Sequence, residues 1–342
     1  MRVAIIGGGA IGSVVAAQLS KAKVSVYLVG RKDHVEAIRQ NGLQVESGQG
    51  TEQIRFEVGT QLNQEYDLVI FATKTQDLKQ AYQENQKFLG TCLLMTSQNG
   101  VQADQVLKSL GVDEKRLISS IVLFGSTYTQ PGQIVYNFPG DWIIGSAFGA
   151  NEERVAQVAE VLKKAFSVVV SSNIVGMKWL KLFINFNNCI PAMTGKSMQE
   201  TFADQDLCRL SILLLREGVD VVKKAGIELV SLPSFPTERI YGLASMPLDQ
   251  AAEIMHQRLT TLSKQPLYGS ILQSILRGKA SEIDYINGEV ALLAERLGIS
   301  APLNRRVVEL VHQVEEHGKF LKSEEIKKEF GLSGTTVAAA FS

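Results

Sequence analysis

Short apolar runs alternate with helical segments through the first half of the chain. Residues 2–6 form one such run, residues 10–22 a helical stretch rich in Ala and Val, and residues 24–29 a second apolar run with β-branched side chains. Residues 66–72, 92–96, 117–122 and 141–145 continue the series. Strand-length runs separated by helical segments predict βαβ units and a doubly wound α/β sheet. Thr127, Thr129, Pro131 and Gly132 mark a hairpin excursion within 126–140. From about residue 175 the alternation stops. Helical periodicity then runs through 176–190, 204–225, 248–263, 281–297 and 302–317. The expectation is an N-terminal α/β domain at 1–174 and a mainly α-helical domain at 175–342, with the Pro-containing stretch 229–247 as a loop or excursion.

Composition narrows the class. A chain of 342 residues, 45% hydrophobic and 20% charged, has the proportions of a folded globular protein of about two domains. Its 35 basic and 35 acidic residues cancel. No long-range field would recruit nucleic acid or an anionic membrane, and none would oppose a homodimer. Cys92, Cys189 and Cys208 are odd in number, widely spaced and without CxxC pairing, which argues against disulfides and zinc and fits a reducing cytosol. His34, His256, His312 and His317 have no metal-ligand spacing, so no metal is expected. No apolar run reaches the ~18 residues of a membrane span. The residues after Met1 read as a strand, not a signal peptide, and a cytoplasmic location is expected.

Gly7-Gly-Gly-Ala-Ile-Gly12 carries G-x-G-x-x-G between the first strand and the first helix. Gly7 permits the tight turn, Gly9 lets the backbone approach a pyrophosphate, and Gly12 allows close helix–strand packing. The N–H groups of Ala10, Ile11 and Gly12 open the helix, where phosphate binds readily. At the end of the second strand an NAD protein carries Asp or Glu, whereas this chain has Gly30-Arg-Lys32. Arg31 suits a 2′-phosphate, with Lys32 as a second charge, and the expected cofactor is NADPH/NADP+. Thr73-Lys74-Thr75 and Gln98-Asn99-Gly100 follow apolar runs, where a doubly wound sheet holds its ligand crevice. An exposed loop lysine and an ordinary Asn-Gly turn are the plainer readings of those two loops.

Residues 178–190 are apolar around most of a helix. At ~100° per residue, Lys178, Lys181, Asn185 and Asn188 fall within an arc of roughly 80°. Two lysines on so apolar a helix are costly unless they line a wet cleft or face solvent. A partly desolvated lysine can act as a general acid, protonating the alkoxide that hydride addition to a carbonyl creates. On periodicity, Lys178 and Lys181 are equal candidates. Further on, Ser270, Gln273, Ser274 and Arg277 share a polar face, with Ile271, Leu272, Ile275 and Leu276 opposite. Ser281 and Asp284 have the spacing of a capping box, and Glu282 beside them suits a helix N-terminus.

Taken together, these residues resemble the ketopantoate reductases (2-dehydropantoate 2-reductases) over nearly the whole chain. The shared features are GGGAIG, Arg31, Thr73-Lys74-Thr75, Gln98-Asn99-Gly100, Trp179-x-Lys181-Leu, Ser270-x-Leu-Gln and Glu282-Ile-Asp-Tyr-Ile-Asn-Gly288. The resemblance implies a Rossmann-type domain, a helical substrate domain and an active site in the cleft between them. It picks Lys181 as the general acid and makes Glu282 catalytic, holding the substrate hydroxyl. Asn99, Asn185, Asn188 and Ser270 would contact substrate, and Gly7, Gly9, Ala10, Ile11, Gly12, Arg31, Lys74, Asn99 and Glu282 would contact the cofactor. Three features depart from the family. Asn187-Asn-Cys-Ile-Pro is one residue out of register, leaving Asn187 or Asn188 for the second substrate position. Ser274 stands where Asp is usual, and the stretch 229–266 is longer than expected.

The implied reaction is reduction of 2-dehydropantoate to (R)-pantoate in pantothenate and coenzyme A synthesis. A paralogous reductase of another 2-oxo acid would share this machinery. An NADP-sensing regulator would have no need of Lys181, and an NAD-linked dehydrogenase of 3-hydroxy acids would carry an acid near position 30.

Overall fold

The apolar runs of the first half become the central strands of a mostly parallel sheet. The computed structural model describes residues 1–149 and 152–332. The chain divides into two compact units, Met1–Val175 and Gly176 onward. In the first, the strands are β1 (Val3–Ile6), β2 (Val26–Val29), β3 (Leu43–Ser47), β4 (Gly50–Ile54), β5 (Glu57–Gly59), β6 (Leu68–Phe71), β7 (Leu93–Thr96), β8 (Leu117–Val122), β9 (Gly125–Gln130), β10 (Gln133–Phe138), β11 (Trp142–Ser146) and β12 (Val168–Ser171). Five helices accompany them: α1 (Ala10–Lys21), α2 (Lys32–Asn41), α3 (Leu78–Asn85), α4 (Ala103–Ser109) and α5 (Glu152–Leu162).

Eight strands form one sheet in the order β12-β11-β8-β7-β6-β1-β2-β5. β1 pairs in parallel with β2 on one side and β6 on the other, so the strand order reverses at β1 and the ligand crevice of a doubly wound sheet lies at its carboxyl end. Every residue of β1 and β6 is buried, as a sheet covered on both faces requires. Alternate side chains supply two cores. Val3, Ile5, Leu28 and Ile70 pack on one face, and Ala4, Ile6, Val29 and Phe71 on the other.

The excursion within 126–140 is the antiparallel hairpin β9–β10. It belongs to a second, four-stranded sheet, β4-β3-β10-β9, in which β10 runs parallel to β3. The strands β3 to β5 and β12 had no strand signal in the sequence reading. β4 is Gly50-Thr-Glu-Gln-Ile54 and exposed over most of its length, while β12 is an edge strand whose Val170 is 53% exposed.

The second unit is helical, with α6 (Ile174–Asn185) leading in, followed by α7 (Cys189–Thr194), α8 (Met198–Phe202), α9 (Gln205–Lys224), α10 (Glu238–Ser245), α11 (Leu248–Thr260), α12 (Ser270–Leu276), α13 (Asn287–Arg296), α14 (Pro302–His317) and α15 (Ser323–Glu329). α9 buries Leu207, Leu210, Leu214, Val221 and Val222 along one stripe. Several expectations change in detail. The stretch 229–247, expected as a loop or excursion, holds a bridge between Leu232 and Phe235 and then α10. The helix expected at 176–190 breaks after Asn185 into a 3₁₀ turn, Phe186–Asn188, before α7. α12 stops at Leu276, which is 58% exposed and not part of a buried face. No helix of the described residues is long and apolar enough to cross a membrane.

Candidate active site

In the first unit, β1 ends in the glycine turn and α1 starts from it. Gly7 has φ +122°, and a β-carbon there would lie 2.6 Å from the Ala72 carbonyl carbon and the Thr73 nitrogen. A β-carbon on Gly12 would overlap the Gly7 carbonyl oxygen and lie 3.2 Å from Ala72 Cβ. Only glycine fits either place. Gly9, by contrast, faces open space, with nothing within 4 Å of its would-be β-carbon. It is the N-cap of α1, supplies no side-chain cap, and no acidic residue lies in the first turn. The amides of Ala10, Ile11 and Gly12 therefore open toward whatever anion occupies that space.

Arg31 is exposed at the N-cap of α2, immediately after β2 and Gly30. Lys32 is 3.9 Å from Glu36, so part of its charge is already matched. At the ends of β6 and β7 the crevice has polar groups in need of partners. Thr73 Oγ1, Thr75 Oγ1 and Gln98 Nε2 are buried and lack a hydrogen-bond partner among the described residues. Leaving such an atom unmatched costs about 1–3 kcal/mol, which a polar ligand would recover. The open space at Gly9, the uncapped helix and these three atoms fit a dinucleotide with its phosphates on α1.

Lys74 and Asn99 are half-buried in the same two loops. A network absent from the sequence reading anchors the second loop. Thr96 Oγ1 donates to Asp104 Oδ1 at 2.5 Å, Ser119 Oγ to Asp104 Oδ2 at 2.6 Å, and Ser120 Oγ to the Thr96 carbonyl at 2.6 Å. Trp142 Nε1 closes it on Ser120 Oγ at 2.9 Å. Asp104, at the start of α4, holds the far end of the turn that carries Asn99. Its one sequence signal is a carboxylate in the first turn of a helix, which reads equally as dipole complement.

The second unit gathers the catalytic candidates. Lys178 is buried and Lys181 half-buried on α6. Burial pushes the Lys181 ammonium down to about 8; the nearby Lys178 charge adds to that and the Glu282 carboxylate opposes it. Lys178 and Glu282 thus both act on Lys181; the polar stripe pairs the two lysines, and Glu282 comes from a distant segment. Asn185 is the last residue of α6, and the break after it separates the two asparagines that the sequence could not rank. Asn187 Oδ1 accepts from Ser211 Oγ of α9 at 2.6 Å and is committed there. Asn188 instead lies against Gly269, its Cγ 2.9 Å from where a β-carbon would be, and so meets the start of α12. Ser270, the first residue of α12, is exposed. The chain leading to it is held by Gln199, whose Nε2 donates to the Ser263 and Gln265 carbonyls at 3.0 and 2.9 Å and whose Oε1 accepts from Leu267 N at 3.0 Å.

Glu282 sits before the 3₁₀ turn Ile283–Tyr285 and accepts no capping bond. The Ser281–Asp284 capping box does not form. Ser281 N donates to Glu315 Oε1 at 2.7 Å, and Asp284 Oδ1 pairs with His312 Nε2 at 2.9 Å. His312 Nδ1 also reaches Glu315 Oε2 at 3.0 Å. Although burial pulls the imidazolium of His312 down, its bonds to Asp284 and Glu315 outweigh this and hold its pKa above the ordinary value. α14 thus pins the segment that presents Glu282, a role for His312 that its spacing did not suggest. Among the described residues no group of three or more His, Cys, Asp and Glu could hold a metal ion.

Both units are similar to known proteins. Residues 3–148 match the family model "Ketopantoate reductase PanE/ApbA", and residues 173–315 match that of its C-terminal part. A 2-dehydropantoate 2-reductase of Pyrococcus horikoshii is 29% identical over 321 residues, covering 93% of this chain and 99% of its own. A crystal structure of a PanE/ApbA family ketopantoate reductase from Ralstonia eutropha superposes with a TM-score of 0.78 at 26% identity, over 93% of this chain and 99% of the other. D-mandelate dehydrogenase with NADH and anilino(oxo)acetate has the same fold, with a TM-score of 0.80 at 20% identity over 93% and 99% of the two chains. With two family models spanning both units, the chain belongs to the ketopantoate reductase family and is an oxidoreductase acting on a CH–OH group.

Proposed function

We propose that this enzyme reduces 2-dehydropantoate to (R)-pantoate with NADPH, in pantothenate and coenzyme A synthesis. The observation that carries the reading is Lys181, a lysine whose ammonium is poised at about 8 beside Glu282. A general acid works best when its pKa lies near the working pH.

In this reading residues 1–174 bind the cofactor and the helical remainder binds substrate. Gly7, Gly9, Ala10, Ile11 and Gly12 hold the pyrophosphate, Arg31 the 2′-phosphate, and Lys74 and Asn99 the nicotinamide end. When bound, the reduced nicotinamide supplies a hydride for the keto carbon. Asn185, Asn188 and Ser270 orient the 2-oxo acid, and Glu282 accepts a hydrogen bond from its hydroxyl. Lys181 Nζ donates a proton to the carbonyl oxygen as its C=O π bond opens, and takes a proton back from water for the next turnover. The nearby Lys178 charge lowers the cost of releasing that proton. Three free, buried cysteines support a cytoplasmic setting.

A second reading keeps the chemistry and changes the acid. Leu267 and Tyr268, 41% and 40% exposed, lie directly before Ser270 on the segment held by Gln199, and they favour a 2-oxo acid with a bulkier apolar chain. Ranking kcat/KM for 2-dehydropantoate, pyruvate, 2-oxoisovalerate and 2-oxoisocaproate with NADPH separates the two. Preference for 2-dehydropantoate supports the first reading, and preference for 2-oxoisocaproate the second.

A further inference from the structure

His34, on α2, is 1% exposed, and its ring underlies the glycine turn. Its Cδ2 is 3.1 Å from where a β-carbon on Gly8 would lie and 3.6 Å from that on Gly30. Nδ1 is 2.9 Å from Gly132 N in the β9–β10 turn, and Nε2 is 3.0 Å from Ser13 Oγ in the first turns of α1. A backbone N–H can only donate, so Nδ1 is the acceptor. The neutral ring therefore carries its proton on Nε2 and donates it to Ser13 Oγ. One side chain of α2 thus ties together the helix whose N-terminus opens at Gly9, the second sheet, and the helix that follows Arg31.

We infer that neutral His34 is a positioning residue for dinucleotide binding, fixing the spacing between the first turn of α1 and Arg31, and that its protonation weakens the cofactor's hold. The inference rests on the cofactor reading above. A protonated ring would turn a second N–H toward the Gly132 N–H, leaving two buried donors face to face. Asp33, Tyr128 and Ser13 are the side chains that act on the ring. The Asp33 carboxylate, on the same helix, favours the charged form. Tyr128 of β9 packs its ring 5.1 Å away, and Ser13 of α1 accepts from Nε2. Burial outweighs Asp33 and holds the imidazolium below its ordinary range, so the neutral, bridging form prevails near neutral pH. The second sheet acquires a purpose: its turn braces the back of the cofactor helix.

The test is calorimetric binding of NADP+ and NAD+ across the acid range, for wild type and His34→Gln. Glutamine keeps an N–H for Ser13 but does not titrate. The 2′-phosphate titrates at a pKa of about 6, so its effect appears with NADP+ alone. The expected result is that wild type loses about tenfold in affinity for both cofactors as pH falls through the His34 titration, while His34→Gln loses only the NADP+-specific part. In parallel, the His34 ring signal of wild type, followed by NMR, should titrate below the ordinary histidine range and move lower still when NAD+ is added. An unchanged NAD+ limb in His34→Gln, or a His34 titration indifferent to cofactor, overturns the inference and leaves the cofactor reading standing. Failure of wild type to bind either cofactor at neutral pH overturns both. The NMR arm decides the matter even if the variant does not fold.

Discussion

Asn188 occupies the space that a side chain at position 269 would need. Its Cγ is 2.9 Å and its Cβ 3.2 Å from the place of a β-carbon on Gly269, the residue before Ser270. Both flanks of that contact are fixed, by the 3₁₀ turn Phe186–Asn188 on one side and by the Gln199 clamp on the other.

Gly269→Ala should therefore displace the Asn188 amide without touching the glycine turn of the first unit. KM for the 2-oxo acid is expected to rise about tenfold, the worth of one or two hydrogen bonds, with NADPH affinity unchanged. Steady-state kinetics beside a cofactor titration check this, and a loss confined to NADPH affinity would contradict it.

Lys181→Ala should lower kcat by about 10²-fold or more, the usual value of a positioned acid. Lysine donates only when protonated, so wild-type kcat should fall as pH rises through about 8, and the variant should lack that limb. Stability moves the other way. A lysine whose folded pKa lies below its unfolded value of 10.5 costs stability while charged, and that cost fades as pH rises from about 8 to 10.5. Lys181→Met should raise the thermal midpoint near neutral pH, by on the order of 1–3 kcal/mol in stability, and the gain should shrink at alkaline pH.

Arg31→Ala should weaken NADPH much more than NADH. Arg31 is exposed at the α2 N-cap, so the fold should tolerate the change. Equal losses for the two cofactors, measured by fluorescence titration, would remove the 2′-phosphate assignment.

Asp104→Ala leaves the Thr96 and Ser119 hydroxyls buried without their acceptor. Hydrogen bonds to a carboxylate are worth about 1.5–3 kcal/mol each. Denaturant unfolding should show a loss of about 3–6 kcal/mol, and a change under about 0.5 kcal/mol, ordinary for a surface site, would deny the network its anchoring role.

The sequence exposes what depends on strict local rules. β1, β6, β7 and β8 are apolar runs buried along their whole length, and the glycine turn is fixed by sterics within a few residues. Lys181 and Glu282 were visible because a buried helix carries few lysines and because the Glu282 segment resembles a known family. What stayed hidden depends on distant partners. β4 is exposed and polar, and is a strand because β3 pairs with it. Asp104 bonds to Thr96, His34 to Gly132 and His312 to Asp284, 8, 98 and 28 positions away, which no spacing rule reaches. The choice between Asn187 and Asn188 turned on Ser211 and Gly269, both remote in sequence.

The most direct test follows NADPH consumption and pantoate formation together, for wild type and Lys181→Ala, with 2-dehydropantoate as substrate. The account predicts one pantoate per NADPH in wild type and near-complete loss in a variant that still binds NADPH. Undiminished pantoate formation by Lys181→Ala, or NADPH binding by wild type with no pantoate formed, would contradict it.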